Sequence, residues 1–342
     1  MDGPPPPRVP TLADVAARAG VSTATVSRCL NAPDRVQKDT RDRILEAVKH
    51  LGYSPNFGAR ALAAKRTDTI GAIIPTMDNS IFARGLQAFQ TALVDHGMTL
   101  LLASSSYRRD LEETQIRTLV ARGADGLLLI GHDRDPALYD FLARHTVPVL
   151  VSWVFDPTQP RPSVGFDNRQ AMAEMTHRVL AQGHRRLATI SGYTSDNDRT
   201  RDRVAGVRDA MAEVPDCAPL NVVETRYGIE TGARAFAQIL AKTPETTAVI
   251  CGNDLLALGA MRQARTMGLR VPQDISITGF DDMEIAVIAD PPLTTVRVPH
   301  GDMGRQAASM LTEMVRSGTT PDTVALPCEI MERGSLGPAP RS

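Results

Sequence analysis

The sequence predicts an all-α N-terminal domain built on a helix-turn-helix, followed by a larger α/β body of two lobes. Three observations carry that reading. Leu12 to Asn31 holds two helical apolar stripes separated by Gly20, and from about Thr69 onward short apolar runs alternate with helical segments. The charge also changes sign: the first 67 residues carry 11 Lys+Arg against 6 Asp+Glu, so this region is +5, while the whole chain is −1 and the remainder is therefore −6. A basic head on an acidic body is expected where one end meets phosphate. At 342 residues the chain has length for two or three domains and a sizeable core.

Residues 1–10, rich in proline, are expected to be a disordered tail. Leu12, Val15, Ala16 and Ala19 recur at helical spacing, and Gly20 ends that helix because it takes a left-handed conformation cheaply. Ser22 is a natural cap for a second helix, Thr23 to Leu30, whose Val26 and Leu30 face the first. This second helix is of the kind that enters a major groove, and its outer face is expected to carry Thr23, Ala24, Ser27 and Arg28. Small side chains let the backbone approach base edges, and an arginine fork bonds two acceptors on guanine. A third helix, about Lys38 to Leu51, is expected to be capped by Thr40, to pack through Ile44, Leu45, Val48 and Leu51, and to end at Gly52. The DNA-binding domain is placed at 11–55. Residues 56–67 contain FGARALAAK, a segment too short to hold a helix alone and expected to order only when stabilised.

The body is placed at 68–336. Its apolar runs are TIGAIIP (69–75), TLLLASS (99–105), GLLLIG (126–131), PVLVSW (148–153), RLATISG (186–192), NVVETR (221–226), TAVICGN (247–253) and SITGF (276–280). Helices between them imply parallel sheets, with enough strands for two lobes facing across a cleft. Ligands in such sheets sit at the carboxyl ends of strands.

Other classes are disfavoured. No charged-then-apolar leader opens the chain and no apolar run approaches membrane-spanning length, so a cytoplasmic, nucleoid-associated protein is expected. Four scattered cysteines suggest neither a disulfide framework nor a zinc ribbon, and seven histidines show no metal-ligand spacing. GxGxxG after a strand, GxxxxGK[ST] and GxSxG are all absent, so no enzyme activity, cofactor or metal is expected. Asp281 and Asp282 are read as a strand-end pair binding hydroxyls rather than as an acid–base couple.

LADVAARAGVSTATVSRCLN, then GYSPNFGARALAAKRT, then TIGAIIP, in that order and spacing, resembles the LacI/GalR family of bacterial transcriptional regulators. The resemblance implies a homodimer on a palindromic DNA operator, under allosteric control by a small sugar or sugar derivative, and a role as a repressor of carbohydrate uptake or catabolism genes. In the head it places Thr23 and Ala24 where operators are discriminated and Arg28 where a guanine is read, with Thr25, Ser27 and Asn31 suited to phosphate or capping. In 56–67 it implies a hinge helix whose Leu62, beside Ala59, wedges into a central step of the minor groove, which favours a CG step there.

The body is similar to type I periplasmic binding proteins, with lobe one at about 68–167 and 299–326 and lobe two at about 168–298 and 327–334. Strand ends and motif matches nominate Phe82, Trp153, Arg203, Tyr227, Asn253 and Asp281 as the effector site, with Asp254 beside them. Trp153 stands where several members keep a carboxylate. It either stacks on a ring or fills the lobe interface, with Ser152 and Asp156 as candidate replacements for the lost polar contact. Whether the effector releases or promotes DNA binding stays open. So do two alternatives: a global regulator governed by a protein partner, and a solute receptor or enzyme on the same fold. The tail has no leucine heptads, so dimers are expected.

Overall fold

The structure, a computed structural model, describes residues 9–54, 66–78 and 80–340. The chain divides into two compact units, Met1–Thr67 and Asp68–Ser342.

In the first unit, α1 (Leu12–Ala19), α2 (Thr23–Asn31) and α3 (Lys38–Leu51) surround one small core, with a 3-10 turn at Pro33–Arg35. Thr11 and Asp14 cap α1 reciprocally: the Thr11 N–H donates to Asp14 Oδ2 at 2.8 Å, and the Asp14 N–H donates back to Thr11 Oγ1 at 3.3 Å. Gly20 ends α1 at φ +65°, and Ser22 caps α2 through the Thr25 N–H. Val15, Ala16, Ala19, Val26, Cys29, Ile44 and Ala47 form the core. Two expectations for α3 are corrected. Leu45 is 47 % exposed and Ala47 takes its place, because the buried stripe follows 44, 47, 48 and 51. Thr40 lies inside the helix, whose cap is Gln37 without a side-chain bond. Most of segment 56–67, including Ala59 and Leu62, lies outside the described residues.

The second unit begins with β1 (Thr69–Ile74), α4 (Ser80–Asp95), β2 (Thr99–Ser104), α5 (Arg109–Ala121), β3 (Gly126–Ile130), α6 (Pro136–Arg144), β4 (Val149–Ser152) and β5 (Ser163–Gly165). It continues through α7 (Asn168–Ala181), β6 (Leu187–Ser191), α8 (Asp198–Ala212), β7 (Asn221–Glu224), α9 (Ile229–Lys242), β8 (Ala248–Cys251), α10 (Asp254–Thr266), β9 (Ser276–Thr278) and α11 (Glu284–Ile288). It closes with β10 (Thr295–Arg297), α12 (His300–Ser317), β11 (Val324–Ala325) and β12 (Glu329–Met331).

Two parallel sheets result, in the orders β11-β5-β4-β3-β1-β2 and β7-β6-β8-β9, with β10 and β12 as an antiparallel ribbon. Strand β1 is buried along its length, which is why its sequence is continuously apolar rather than alternating. Each of the eight apolar runs contains a strand, but β5, β10, β11 and β12 are two- or three-residue strands without a run of their own. The chain leaves the first sheet after β5, returns to that lobe with α12 and β11, and leaves again to pair β12 with β10.

Candidate functional site

The outward face of α2 is small and carries one cation. Thr23, Ala24, Arg28 and Asn31 are exposed, and Arg28 makes no ion pair among the described residues. Ser27, expected on the exposed face, is half-buried and accepts a bond from Asn31 Nδ2 at 3.3 Å. Thr25 is also half-buried, with its hydroxyl 2.9 Å from that of Ser22. Thr25 thus helps build the cap that starts the helix, whereas Thr23, Ala24 and Arg28 are exposed.

In the body, strand ends from both lobes converge on a chamber. Ile81, Phe82, Tyr107 and Trp153 come from the first sheet's side, and Asn197, Arg199, Thr200, Arg203, Tyr227, Asn253 and Asp281 from the other. All six residues nominated as the effector site therefore line one cavity. Asp254 does not: its carboxylate accepts from Thr295 Oγ1 at 2.5 Å and from the Met283 N–H at 2.6 Å, bracing the loop that carries Asp281. The lobes are closed, and the chamber has room of about 20 Å3, about one water molecule.

Arg203, Asn253 and Trp153 are held from behind. The Arg203 guanidinium donates to Asn168 Oδ1 at 2.8 Å and to Gly252 O at 2.7 Å, and lies 3.8 Å above the centre of the Phe280 ring. Asn168 donates in turn to Trp153 O at 3.1 Å, tying the two walls together. Asn253 caps α10 through Oδ1, which leaves its amide NH2 buried without a partner among the described residues. The Trp153 ring packs on Phe82, 5.4 Å between centroids, and against Gly85, where a Cβ would fall 2.6 Å from the indole. Trp153 is thus a fixed wall of lobe one, and its indole N–H is buried without an acceptor among the described residues. Ser152 and Asp156 do not replace a polar contact at the chamber. Ser152 donates to Val164 O within the sheet, and Asp156 is occupied by Thr158 and Gln159 in its own loop.

Asp281 is 2 % exposed, and among the described residues neither carboxyl oxygen has a hydrogen-bond donor. Burial pushes its carboxyl up to about 8, against the pull of the Arg203 charge and with a further push from Asp254. His300 Nε2 lies 4.0 Å from Asp281 Oδ1, and burial drives that imidazole down to about 3, so it is neutral. Buried, unpartnered donors and an acceptor cost about 1–3 kcal/mol each unless something satisfies them. Trp153 and Asn253 offer a ligand donors, and the Asp281 carboxyl, protonated below about pH 8, offers a donor and an acceptor, all between aromatic walls, the pattern that orients a hydroxyl-rich molecule.

Cross-lobe contacts latch this closed form. Asp198 accepts from the backbone N–H of His132, Arg201 is bidentate on Asp133 at 2.6 and 2.7 Å, Arg109 pairs with Asp196 at 2.6 Å, and Arg84 with Glu284 at 2.8 Å.

The sequence reading missed Tyr107, Asn197, Arg199, Thr200 and His300. Arg199 and Thr200 lie one helical turn before Arg203, so the 3.6-residue period of α8 points to them. Tyr107 follows a strand end, but Ser106 and Tyr107 at φ +51° and +59° turn the chain in a way their identities do not announce. Among the described residues no cluster of His, Cys, Asp and Glu fit to hold a metal occurs, and no helix is long and apolar enough to cross a membrane.

Comparison with known proteins covers both units. A family described as bacterial regulatory proteins, lacI family, matches residues 11–56. A second, described as periplasmic binding proteins and sugar binding domain of LacI family, matches residues 67–333. The HTH-type transcriptional repressor CytR of Escherichia coli (strain K12) is 31% identical over 334 residues, covering 96% of this chain and 97% of that protein. A lac repressor dimer bound to operator and the anti-inducer ONPF superposes with a TM-score of 0.87 at 26% identity, covering 96% of this chain and 100% of the other. A complex of the transcriptional regulator CelR with cellobiose matches at a TM-score of 0.70 and 31% identity, covering 95% and 99%.

Proposed function

Because the chain belongs to the LacI family of bacterial regulatory proteins, we propose that it is a sequence-specific transcriptional regulator, a repressor of carbohydrate uptake or catabolism genes. It acts as a homodimer on a palindromic operator and binds a small sugar-like effector in the cleft between its lobes, a reading supported by the likeness to a lac repressor dimer bound to operator and to a CelR–cellobiose complex. Residues 11–55 read the DNA, with Thr23, Ala24 and Arg28 at base edges. Residues 56–67 act as the hinge helix, with Leu62 in the central minor-groove step and Ala59 beside it. The effector lies among Phe82, Trp153, Arg203, Tyr227, Asn253 and Asp281. The observation that carries the effector reading is the convergence, in one closed inter-lobe chamber, of buried polar groups lacking partners with two aromatic walls.

In this mechanism the effector shifts a balance between lobe arrangements, and that balance sets the spacing of the two hinge segments across the dimer. The effector moves the balance only by the difference in its affinity for the two forms. Relatives of this chain are transcriptional regulators, which favours binding over turnover.

The test is selection of genomic fragments by the purified full chain, followed by footprinting. The expected footprint is a palindrome, protected by the native chain and lost or re-specified with Arg28→Ala. Protection with no common palindrome, unchanged by Arg28→Ala, contradicts the proposal.

A further inference from the structure

The chamber's room of about 20 Å3 suits one water molecule, so the closed arrangement cannot be the one that holds a sugar ring. Resting on the sugar-effector reading above, we infer that the effector acts as a wedge: the free chain rests with its lobes latched shut over a collapsed site, and sugar binds by holding those lobes apart. The sign is opposite to that of a clamp, in which a ligand draws two lobes together.

Three features support a latched resting form. The latch lies outside the chamber: Arg109–Asp196 and Arg201–Asp133 join the lobes at 2.6 Å and Arg84–Glu284 at 2.8 Å, and none of these side chains lines the chamber. Closure therefore draws on contacts that need no ligand. The entrance is shut by the same approach of the lobes. Tyr107 of lobe one and Tyr227 of lobe two stand 6.2 Å apart between ring centroids, a packing distance, where the chamber meets an open vestibule of about 660 Å3. Inside, closure is costly: buried polar groups of Trp153, Asn253, Asp281 and His300 lack hydrogen-bond partners among the described residues. Parting the lobes lets a hydroxyl-rich ligand meet those groups. The latch outside and the unmet polar groups inside oppose one another, and a ligand that fits only the parted form shifts their balance.

Wedge and clamp predict opposite effects of weakening the latch. A clamp loses affinity when its closed form is destabilised, whereas a wedge gains affinity, because less of the chain rests in the form that excludes the ligand. Trp153, the only tryptophan, faces the chamber and reports both closure and occupancy. Acrylamide quenching of Trp153 is measured on the sugar-free full chain, on Arg109→Ala, on Arg201→Ala and on the double variant. Each protein is then titrated with glucose, galactose, mannose, xylose and cellobiose. Quenching is expected to be weak in the native chain and to rise in each variant. A responding sugar should bind up to about fivefold more tightly to each single variant, and more tightly still to the double variant. Affinity that is unchanged or weaker in the variants overturns the wedge while the sugar reading stands. Native quenching as strong as that of a free indole, or quenching unmoved in every variant, overturns the latched resting form. Silence from every sugar overturns the sugar reading itself and the wedge with it.

Discussion

Asp281 shows how much one residue can be asked to do. It sits at φ +104°, is buried, faces His300 across the lobe boundary and lies within the field of Arg203. In the fold its carboxyl keeps a proton up to about pH 8 that the unfolded chain loses near 3.8. Its contribution to stability is therefore full below 3.8 and lost as pH rises through 8. Asp254, raised to about 7 by burial, acts in the same direction up to that pH. His300, held neutral to about 3, acts in the opposite direction, but only below its ordinary 6.5. The unfolding midpoint should therefore fall as pH rises from 6.5 to 8, and Asp281→Asn should flatten the part of that fall between 7 and 8; a native slope unchanged in the variant contradicts the assignment. In the head, Arg28→Ala should cost roughly 1–3 kcal/mol of operator binding and relax one base position in each half-site. Anisotropy titrations on operator variants measure this, and an equal loss on all sequences would make Arg28 a phosphate contact. Strand ends brought Asn253 and Asp281 to notice, whereas Arg203, inside α8, was found through the family's RVAG motif. His300 stayed hidden because its position at the start of α12 depends on the last return between lobes.

At the scale of elements, the helices of the head were legible almost to the residue, because Gly20, Ser22 and Gly52 mark their ends by local backbone chemistry. Leu45 was misplaced because the adjacent apolar pairs Ile44–Leu45 and Ala47–Val48 leave the phase of the helix open by one position. The short strands were not legible: two or three residues in β5 or β11 carry too little pattern, and their pairing is set by distant partners. The latch between lobes depends on such a distant approach. At Gly131, φ is +74° and an added Cβ would lie 2.0 Å from Arg199 Nη1 and 2.4 Å from Asp198 Oδ1. Gly131→Ala should cost about 1–2 kcal/mol from backbone strain alone, and the clash should hold the lobes apart. Urea unfolding measures the first effect, and increased acrylamide quenching of Trp153 the second. Unchanged values of both would show that the latch does not form in solution.

For the whole molecule, the division into a basic head and an acidic body was plain in the charge count. The convergence of the cleft was plain only in outline, since it needs the order of both sheets. A head of charge +5 should grip DNA through phosphates, so operator affinity should fall steeply and log-linearly with salt, whereas effector binding to the uncomplexed body should hardly change. Comparing operator anisotropy with Trp153 fluorescence from 50 to about 200 mM salt separates the two; equal salt dependence would place the effector among the phosphate-binding charges.

The central claim is that head and cleft share one free-energy balance. The most direct test is a linked titration: operator affinity with and without the sugar that alters Trp153 fluorescence, and affinity for that sugar with and without operator. The account predicts that both affinities change by the same factor and in the same direction, as reciprocity requires. A sugar that fills the cleft while operator affinity stays the same would contradict it.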